Sequence, residues 1–398
     1  MKKNFRIVTR NFVGTRGGTY GCILEVDLGY PEELHDLHNA YLCAPESINV
    51  NGVEKLIPTL GDKKRYILHC ENLKLYESLG LKVTKSHRGI CFTQRDWLKP
   101  YMDLNTRLRA KAKNDCKKDF FKLMNDSVFG KTIEKILKRV DIRLVGGGEK
   151  GRKKAKKLAA KPSFEGCTIL DENLVAMHMH KSSLVFYKPC LSWVCILDLS
   201  KTLMYDFHDR YIKPKYGDNA KLLFTDTDSL AHKVMTDDFF ADISNDVYEL
   251  FDTSNFISGR PLPVGKNKKV VGMFKDEAGG KIIEEFVGLR AKLYSYRMYD
   301  PQGEGKEEKK CKRIKKAVTK KSITHEDYTR CLFSGTDQLR QMRIFGSRKH
   351  EVYTEEINKI AHSSKDDRRI VLPNKIDTLA YGRLAKNHRE NNLGRHNL

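Results

Sequence analysis

What this sequence lacks narrows its function first. Its 398 residues include ten cysteines, yet none stands in a CxxC pair, and Cys190 and Cys195 are the closest two. A zinc ribbon or a disulfide frame needs paired spacings, so reduced thiols in an intracellular compartment are expected. No apolar run approaches the ~20 residues that cross a bilayer. The opening MKKNFRIVTRNF is basic but has no apolar stretch, so neither a signal peptide nor a membrane partner is expected. The glycines of GTRGGTYG lack both the lysine of a phosphate loop and the spacing of a dinucleotide loop, which leaves an ordinary loop. Acidic charge is in short supply: 51 Asp and Glu against 74 Lys and Arg leave a net charge of +23. That excess favours a polyanionic partner, nucleic acid before an anionic membrane surface.

The length allows two or three domains. Cys22 to Leu28 reads as a strand and Pro31 to Tyr41 as a helix with proline in its first turn. His35 and His38 could meet on one helix face, but no third ligand is near, so a packing or surface role is expected. Strand-like Arg65 to His69 and Gly89 to Phe92 flank a helical piece, Glu71 to Leu79. Residues 103–139 are helical in composition. Residues 146–161 are strongly basic and of low complexity, which predicts a flexible loop or an arm tracking phosphates, and is compatible with a nuclear destination. Several strands over 162–197, a helix over Leu199 to Tyr211 and an acidic surface helix over Thr236 to Asp252 follow. Residues 303–321 read as a basic linker, and the chain from Thr324 as a small separate unit, polar and helical.

Two stretches carry chemistry. LLFTDTDSL (222–230) reads as two short strands around a tight turn, with Asp226 and Asp228 two residues apart. In extended chain, carboxylates at that spacing project to one side, ~6–7 Å apart. They repel unless a cation lies between them, and Mg²⁺ is the natural one because it takes hard oxygens and leaves room for phosphate. A plain hydrophilic hairpin would have the same composition. The second stretch is Cys116 to Gly130. On a helical wheel Cys116, Phe120, Leu123 and Met124 fall on one face; Lys118, Lys122, Asn125, Asp126 and Phe129 fall on the other. A row of lysines there can grip a triphosphate, with Phe129 one turn on to lie against a base or sugar, and Gly130 ending the helix or allowing close approach. A solvated basic face is the plainer reading. Further on, Arg290, Lys292, Tyr294 and Tyr296 would share one side of a strand, a platform for nucleic acid or an ordinary sheet face.

Together these runs resemble one family. KLMNDSVFGK (122–131), FTDTDSL (224–230) and KLY (292–294) look like motifs B and C and the KxY motif of the family B DNA polymerases, with order and spacing similar to the protein-primed branch. VDLGYPEELHDLHNAYLCAPE, LSKTLMYDFHDRYI, EEFVGLRAKLYS and SRKHEVYTEEINKIA more narrowly resemble polymerases of Maverick/Polinton-type mobile elements. The resemblance implies an α+β right-hand fold: a partial palm or insertion over 1–101, fingers helices over 102–139 and a basic insertion over 140–165. A palm with an antiparallel sheet spans 166–302, a basic linker 303–323 and a thumb 324–398. It implies DNA-directed DNA polymerisation by two Mg²⁺ ions, with primer–template DNA, deoxynucleoside triphosphates and a terminal protein primer as partners. Asp228 would be the main metal ligand and Asp226 a weaker one. Lys122, with Lys118 behind it, would contact phosphates; Asp126, Phe129 and Gly130 would line the nucleotide site. Lys292 and Tyr294, with Arg290 beside them, would hold DNA.

Two departures matter. Asp126 replaces the family's Asn, placing a carboxylate near the triphosphate. The only candidate for motif A is LEVDLGYP, where Glu25 fills the Asp position and Asp27 falls two residues late. The resemblance therefore implies a chain that starts downstream of motif A, without its metal ligand and without the proofreading exonuclease. Three activities follow as rivals: a weak polymerase, a remnant that binds primer–template DNA without catalysis, and a nuclease using the same DxD.

Overall fold

The strand Tyr20–Gly29 is buried from Gly21 to Leu28, and the N-terminal half of the molecule forms around it. It lies between antiparallel neighbours Lys63–His69 and Lys82–Thr93. Alternation divides its side chains. Cys22, Leu24, Val26 and Leu28 point into a core with Leu68, Leu73 and Tyr76, the last two from the helix Cys70–Ser78. Glu25 and Asp27 point the other way; Glu25 meets Arg65 and Arg88 from the two flanking strands, and Asp27 meets the His87 ring. This computed structural model describes residues 20–383 except 51, 182, 186, 189, 257, 260, 271, 300–304, 349–350 and 367, so the glycine-rich loop lies almost wholly outside the described residues.

A helical hairpin follows, Lys99–Lys111 and Asp115–Thr132. Asn114 caps the second helix through its side chain, 2.9 Å from the Lys117 amide. The basic run 146–161 is not a loop. It forms the helix Gly148–Ala159, because Ala155 and Leu158 supply an apolar strip for Val145, Met177 and Met179 of a three-stranded sheet, while its lysines stay in water.

The helix Cys190–Asp206 starts nine residues before the expected Leu199 and runs into a π-helical segment, Phe207–Ile212. It docks on the N-terminal core: Tyr205 stacks on Tyr41 at 3.9 Å, and Asp198 accepts the His69 amide at 2.8 Å. Beyond it lies the two-stranded hairpin Ala220–Asp226 and Ser229–Val234. The expected acidic helix is instead two single turns, Phe239–Asp242 and Val247–Leu250.

The C-terminal third differs most from expectation. Residues 307–311 of the supposed linker form a strand beside Leu293–Met298, which also pairs with Ile283–Arg290. Among the described residues after Thr324 only His325–Ser334 is helical; Gly335, at φ +74°, ends it, and Gln338–Arg348 and Glu351–His362 form a long hairpin. Nor is this unit separate. Tyr328, Cys331, Met342 and Ala361 share one core with Val287, Leu289 and Leu293. The chain then returns to its start, where Leu60 donates its amide to the Tyr381 carbonyl at 2.9 Å. Among the described residues no helix is long and apolar enough to cross a membrane.

Candidate active site

The turn between the two strands of the Asp226 hairpin is strained. Thr227 has φ +56°, and the Asp228 amide reaches back to the Asp226 carbonyl at 2.6 Å, closing a three-residue γ-turn. A β-branched residue avoids that conformation, which costs of the order of 1–3 kcal/mol and collects at functional sites. Asp226 and Asp228 therefore flank a reversal rather than projecting from straight chain, which corrects the side-by-side geometry expected for them. Ser229 Oγ also donates to the Asp226 carbonyl, at 3.1 Å.

The two carboxylates differ in company. Asp226 Oδ1 lies 3.3 Å from the ammonium of Lys292. Asp228 is exposed and has no side-chain partner among the described residues. Lys292 sits at φ +62° in the two-residue turn that joins Arg290 to Leu293, so Arg290 and Lys292 do not share one strand face with Tyr294. Tyr294 and Tyr296 are each only 8% exposed. Their rings face inward, where Tyr294 stacks on Phe224 at 4.4 Å and lies 5.8 Å from Phe286. The expected aromatic platform is thus a clamp between the Asp226 hairpin and the Lys292 sheet. It fixes Lys292 against Asp226. Burial pushes the Tyr294 hydroxyl up from its ordinary value.

A second brace holds the far side of the hairpin. His232 follows a bulge in the exit strand, and its Nε2 lies 2.9 Å from Nδ1 of His208 in the π-helical segment. The rings stack at 5.2 Å. Burial pushes both imidazoles down to about 4, so this contact joins neutral rings. Sequence reasoning missed both braces, although the family-like run LSKTLMYDFHDRYI contains His208.

The lysine helix is turned relative to expectation. Phe120 and Leu123 are exposed, while Phe121, Met124, Val128, Phe129 and Thr132 face inward. The wheel placed Phe120 and Leu123 on a packed face, but the first helix of the hairpin occupies the adjacent arc; its Tyr101 hydroxyl donates to the Met124 carbonyl at 3.2 Å. Lys118 turns back to Asp115 at 2.9 Å instead of extending the row. Lys122 and Asp126 are exposed and form no ion pair with each other. The helix runs through Gly130 to Thr132, so Gly130 does not terminate it, but the space beside its Cα is open. Behind Lys118 lie further cations that sequence reasoning did not group. Burial, then the charges of Arg109, Lys268, Lys118 and Lys275, push Lys269 down, and its ammonium donates to the Arg109 carbonyl at 3.1 Å.

No described contact joins Lys118 or Lys122 to Asp226 or Asp228. A single segment nonetheless ties their neighbourhoods together. Lys269 holds the helical hairpin, and nine residues later Ala278 packs, as Phe224 does, against the cluster of Tyr294, Tyr296 and Met298. Nine residues span at most roughly 30 Å.

Among the described residues, no group of three or more His, Cys, Asp or Glu could hold a metal ion. Glu25 and Asp27 do not supplement the turn. Glu25 is paired with Arg65 at 2.6 Å and with Arg88, and Asp27 accepts from the Arg65 amide at 2.7 Å and meets His87 at 2.8 Å. His35 and His38 are buried; His38 Nδ1 lies 2.9 Å from the Tyr30 hydroxyl, which is a packing role.

No family model matches the sequence, and no curated protein matches it. Among solved structures, the chain is similar in fold to Phi29 DNA polymerase complexed with primer-template DNA and incoming nucleotide substrates. The TM-score is 0.52 and the identity 13%, over 90% of this chain and 53% of the polymerase. The chain therefore spans about half the length of the polymerase it matches, and the likeness is one of a mixed α and β, DNA polymerase-like fold.

Proposed function

We propose that this chain is a family B-like DNA polymerase unit that binds primer–template DNA and a deoxynucleoside triphosphate across the Asp226–Asp228 turn. The observation that supports this most is the turn itself. It is strained, braced from two sides, and presents one carboxylate held by Lys292 beside one that is open. In this reading the helical hairpin acts as fingers, the Asp226 hairpin and the Lys292 sheet as palm, and the unit from Thr324 as thumb. A terminal protein primer and a mobile-element origin belong to the same reading.

Each residue has a task. Lys122, exposed and unpaired, attracts the triphosphate, with Lys118 and the cations behind it raising the local positive potential. Phe129 and Gly130 shape the nucleotide side, and Asp126 limits how closely phosphate approaches. Lys292 holds the Asp226 carboxylate in place, then lies close to primer phosphate. Tyr294 positions Lys292 and the turn from below and does not touch DNA. Arg290, exposed at the end of its strand, contacts the backbone. The hard oxygens of Asp228 and Asp226 fit one Mg²⁺, which when bound would favour attack of a 3′-hydroxyl on the α-phosphate. No third carboxylate joins them among the described residues, so phosphate oxygens and water would complete the shell of any second ion.

That deficit favours a second reading, DNA binding with little or no turnover. Primer extension with Mg²⁺ and a salt-titrated binding assay separate the two. Extension abolished by Asp228→Asn supports polymerisation. Tight, salt-sensitive binding without extension supports the second reading. Absence of both contradicts the proposal, and DNA cleavage without nucleotides would point to a nuclease instead.

A further inference from the structure

Three cysteines that are far apart in sequence stand level across the N-terminal sheet. In the central strand Cys22 pairs with Cys91 of one neighbour. On its other side Ile23 pairs with His69, which sets Cys22 beside Cys70, the first residue of the following helix. Directly opposed residues in antiparallel strands point to the same face with Cα atoms ~4.5–5.5 Å apart, inside the ~4.4–6.8 Å span of a disulfide. Cys70 and Cys22 are buried, at 4% and 2% exposed, whereas Cys91 faces solvent.

The three sulfurs are chemically unequal. Hydrogen bonding from Cys22 holds the Cys70 thiol down, with His69 Nδ1 3.9 Å away adding to the effect. Its place in the first turn of a nine-residue helix acts in the same direction. The same hydrogen bond, and then burial, push Cys22 up, which leaves the exposed Cys91 as the sulfur that a peroxide meets first.

We propose that Cys91 and Cys22 form an oxidation site for hydroperoxides, in which Cys91 is oxidised and Cys22 closes a disulfide on it. In the first step the Cys91 sulfur attacks the peroxide, the O–O bond breaks, and Cys91 sulfenic acid and one water form. In the second, the Cys22 sulfur attacks the sulfenic sulfur, the S–O bond breaks, and the Cys22 proton leaves with that hydroxide as the second water. Two thiols lose two electrons, and one peroxide gains them. The bond would link the central strand to its edge neighbour, far in sequence from the Asp226 turn, and it is independent of the function proposed above.

The test uses the full chain treated with hydrogen peroxide at low molar excess, alkylated, digested and analysed by mass spectrometry. The expected product is a Cys22–Cys91 peptide pair that dithiothreitol reverses. Cys91→Ser should abolish it. Cys70→Ser should leave the pair in place, with an unchanged circular dichroism spectrum as the folding control for both variants. A disulfide that excludes Cys22, a Cys22–Cys70 linkage, oxidation only to sulfinic or sulfonic acid, or loss of the pair in a folded Cys70→Ser variant would each overturn the assignment.

Discussion

Two pairs of carboxylates spaced two residues apart occur in this molecule, and they meet opposite fates. Glu25 and Asp27 lie in the middle of a strand whose neighbours place Arg65, Arg88 and His87 against them. Hydrogen bonds from Arg65 and Arg88 hold Glu25 below the ordinary carboxylate range, and the Arg65 amide followed by His87 does the same for Asp27. Asp226 and Asp228 lie at the end of a hairpin, around a left-handed threonine, with one lysine on Asp226 and Asp228 open to solvent. Spacing alone therefore does not make a metal site. A carboxylate pair on a strand inside a sheet is satisfied by cross-strand partners. The same pair at a turn runs out of partners, and one oxygen set remains available.

The largest expected effect breaks this contrast on activity. Asp228→Asn should lower Mg²⁺-dependent nucleotide addition, or nucleotide binding where addition is undetectable, by about 100-fold or more. Glu25→Gln should leave it within a few fold of wild type and lower the melting temperature instead. Equal loss in both variants would erase the distinction between the pairs.

Acid offers the next lever. Burial pushes His38, His208 and His232 down to about 4. Unfolded histidine titrates near ~6.5, so the unfolded chain takes up protons first and stability falls as pH drops from there towards about 4. Glu25 and Asp27 are lowered, so their contribution persists above the ordinary carboxylate range and is lost only at still lower pH. Denaturant midpoints measured from pH 8 to pH 3 should decline in that order. His232→Gln should flatten part of the upper decline.

Lys292→Met should separate function from stability. The pair with Asp226 is half exposed, so its loss should cost no more than ~1 kcal/mol. DNA binding should nonetheless weaken several-fold and lose part of its salt dependence. The smallest effect is expected from Thr227→Gly. Relief of ~1–2 kcal/mol of left-handed strain is offset by ~0.5–1 kcal/mol of glycine entropy, so the melting temperature should stay level or rise slightly.

The sequence made the local pieces legible where one pattern dominated. The strand at Cys22–Leu28, the helix at Glu71–Leu79 and the Asp226 turn could be read from alternation, periodicity and turn residues. The turning of the lysine helix could not, because Phe120 and Leu123 look like a packed face until the first helix of the hairpin takes the adjacent arc. Lys118 was misjudged because Asp115, three residues away, competes for its ammonium. The stretch after Gly335 read as helix because its arginines and glutamines are good helix formers, but tertiary pairing with Glu351–His362 decided the matter. The cysteine row was invisible, since residues 22, 70 and 91 become neighbours only through sheet register. The Phe224–Tyr294 clamp lay hidden for the same reason.

The most direct measurement is titration of Mn²⁺, read by electron paramagnetic resonance, into the chain with primer–template DNA and a deoxynucleoside triphosphate. The Asp226–Asp228 account expects one protein-dependent ion, lost in Asp228→Asn and retained in a Glu25→Gln, Asp27→Asn double variant. Binding that survives Asp228→Asn, or that vanishes with the Glu25 and Asp27 changes in a folded protein, would contradict it.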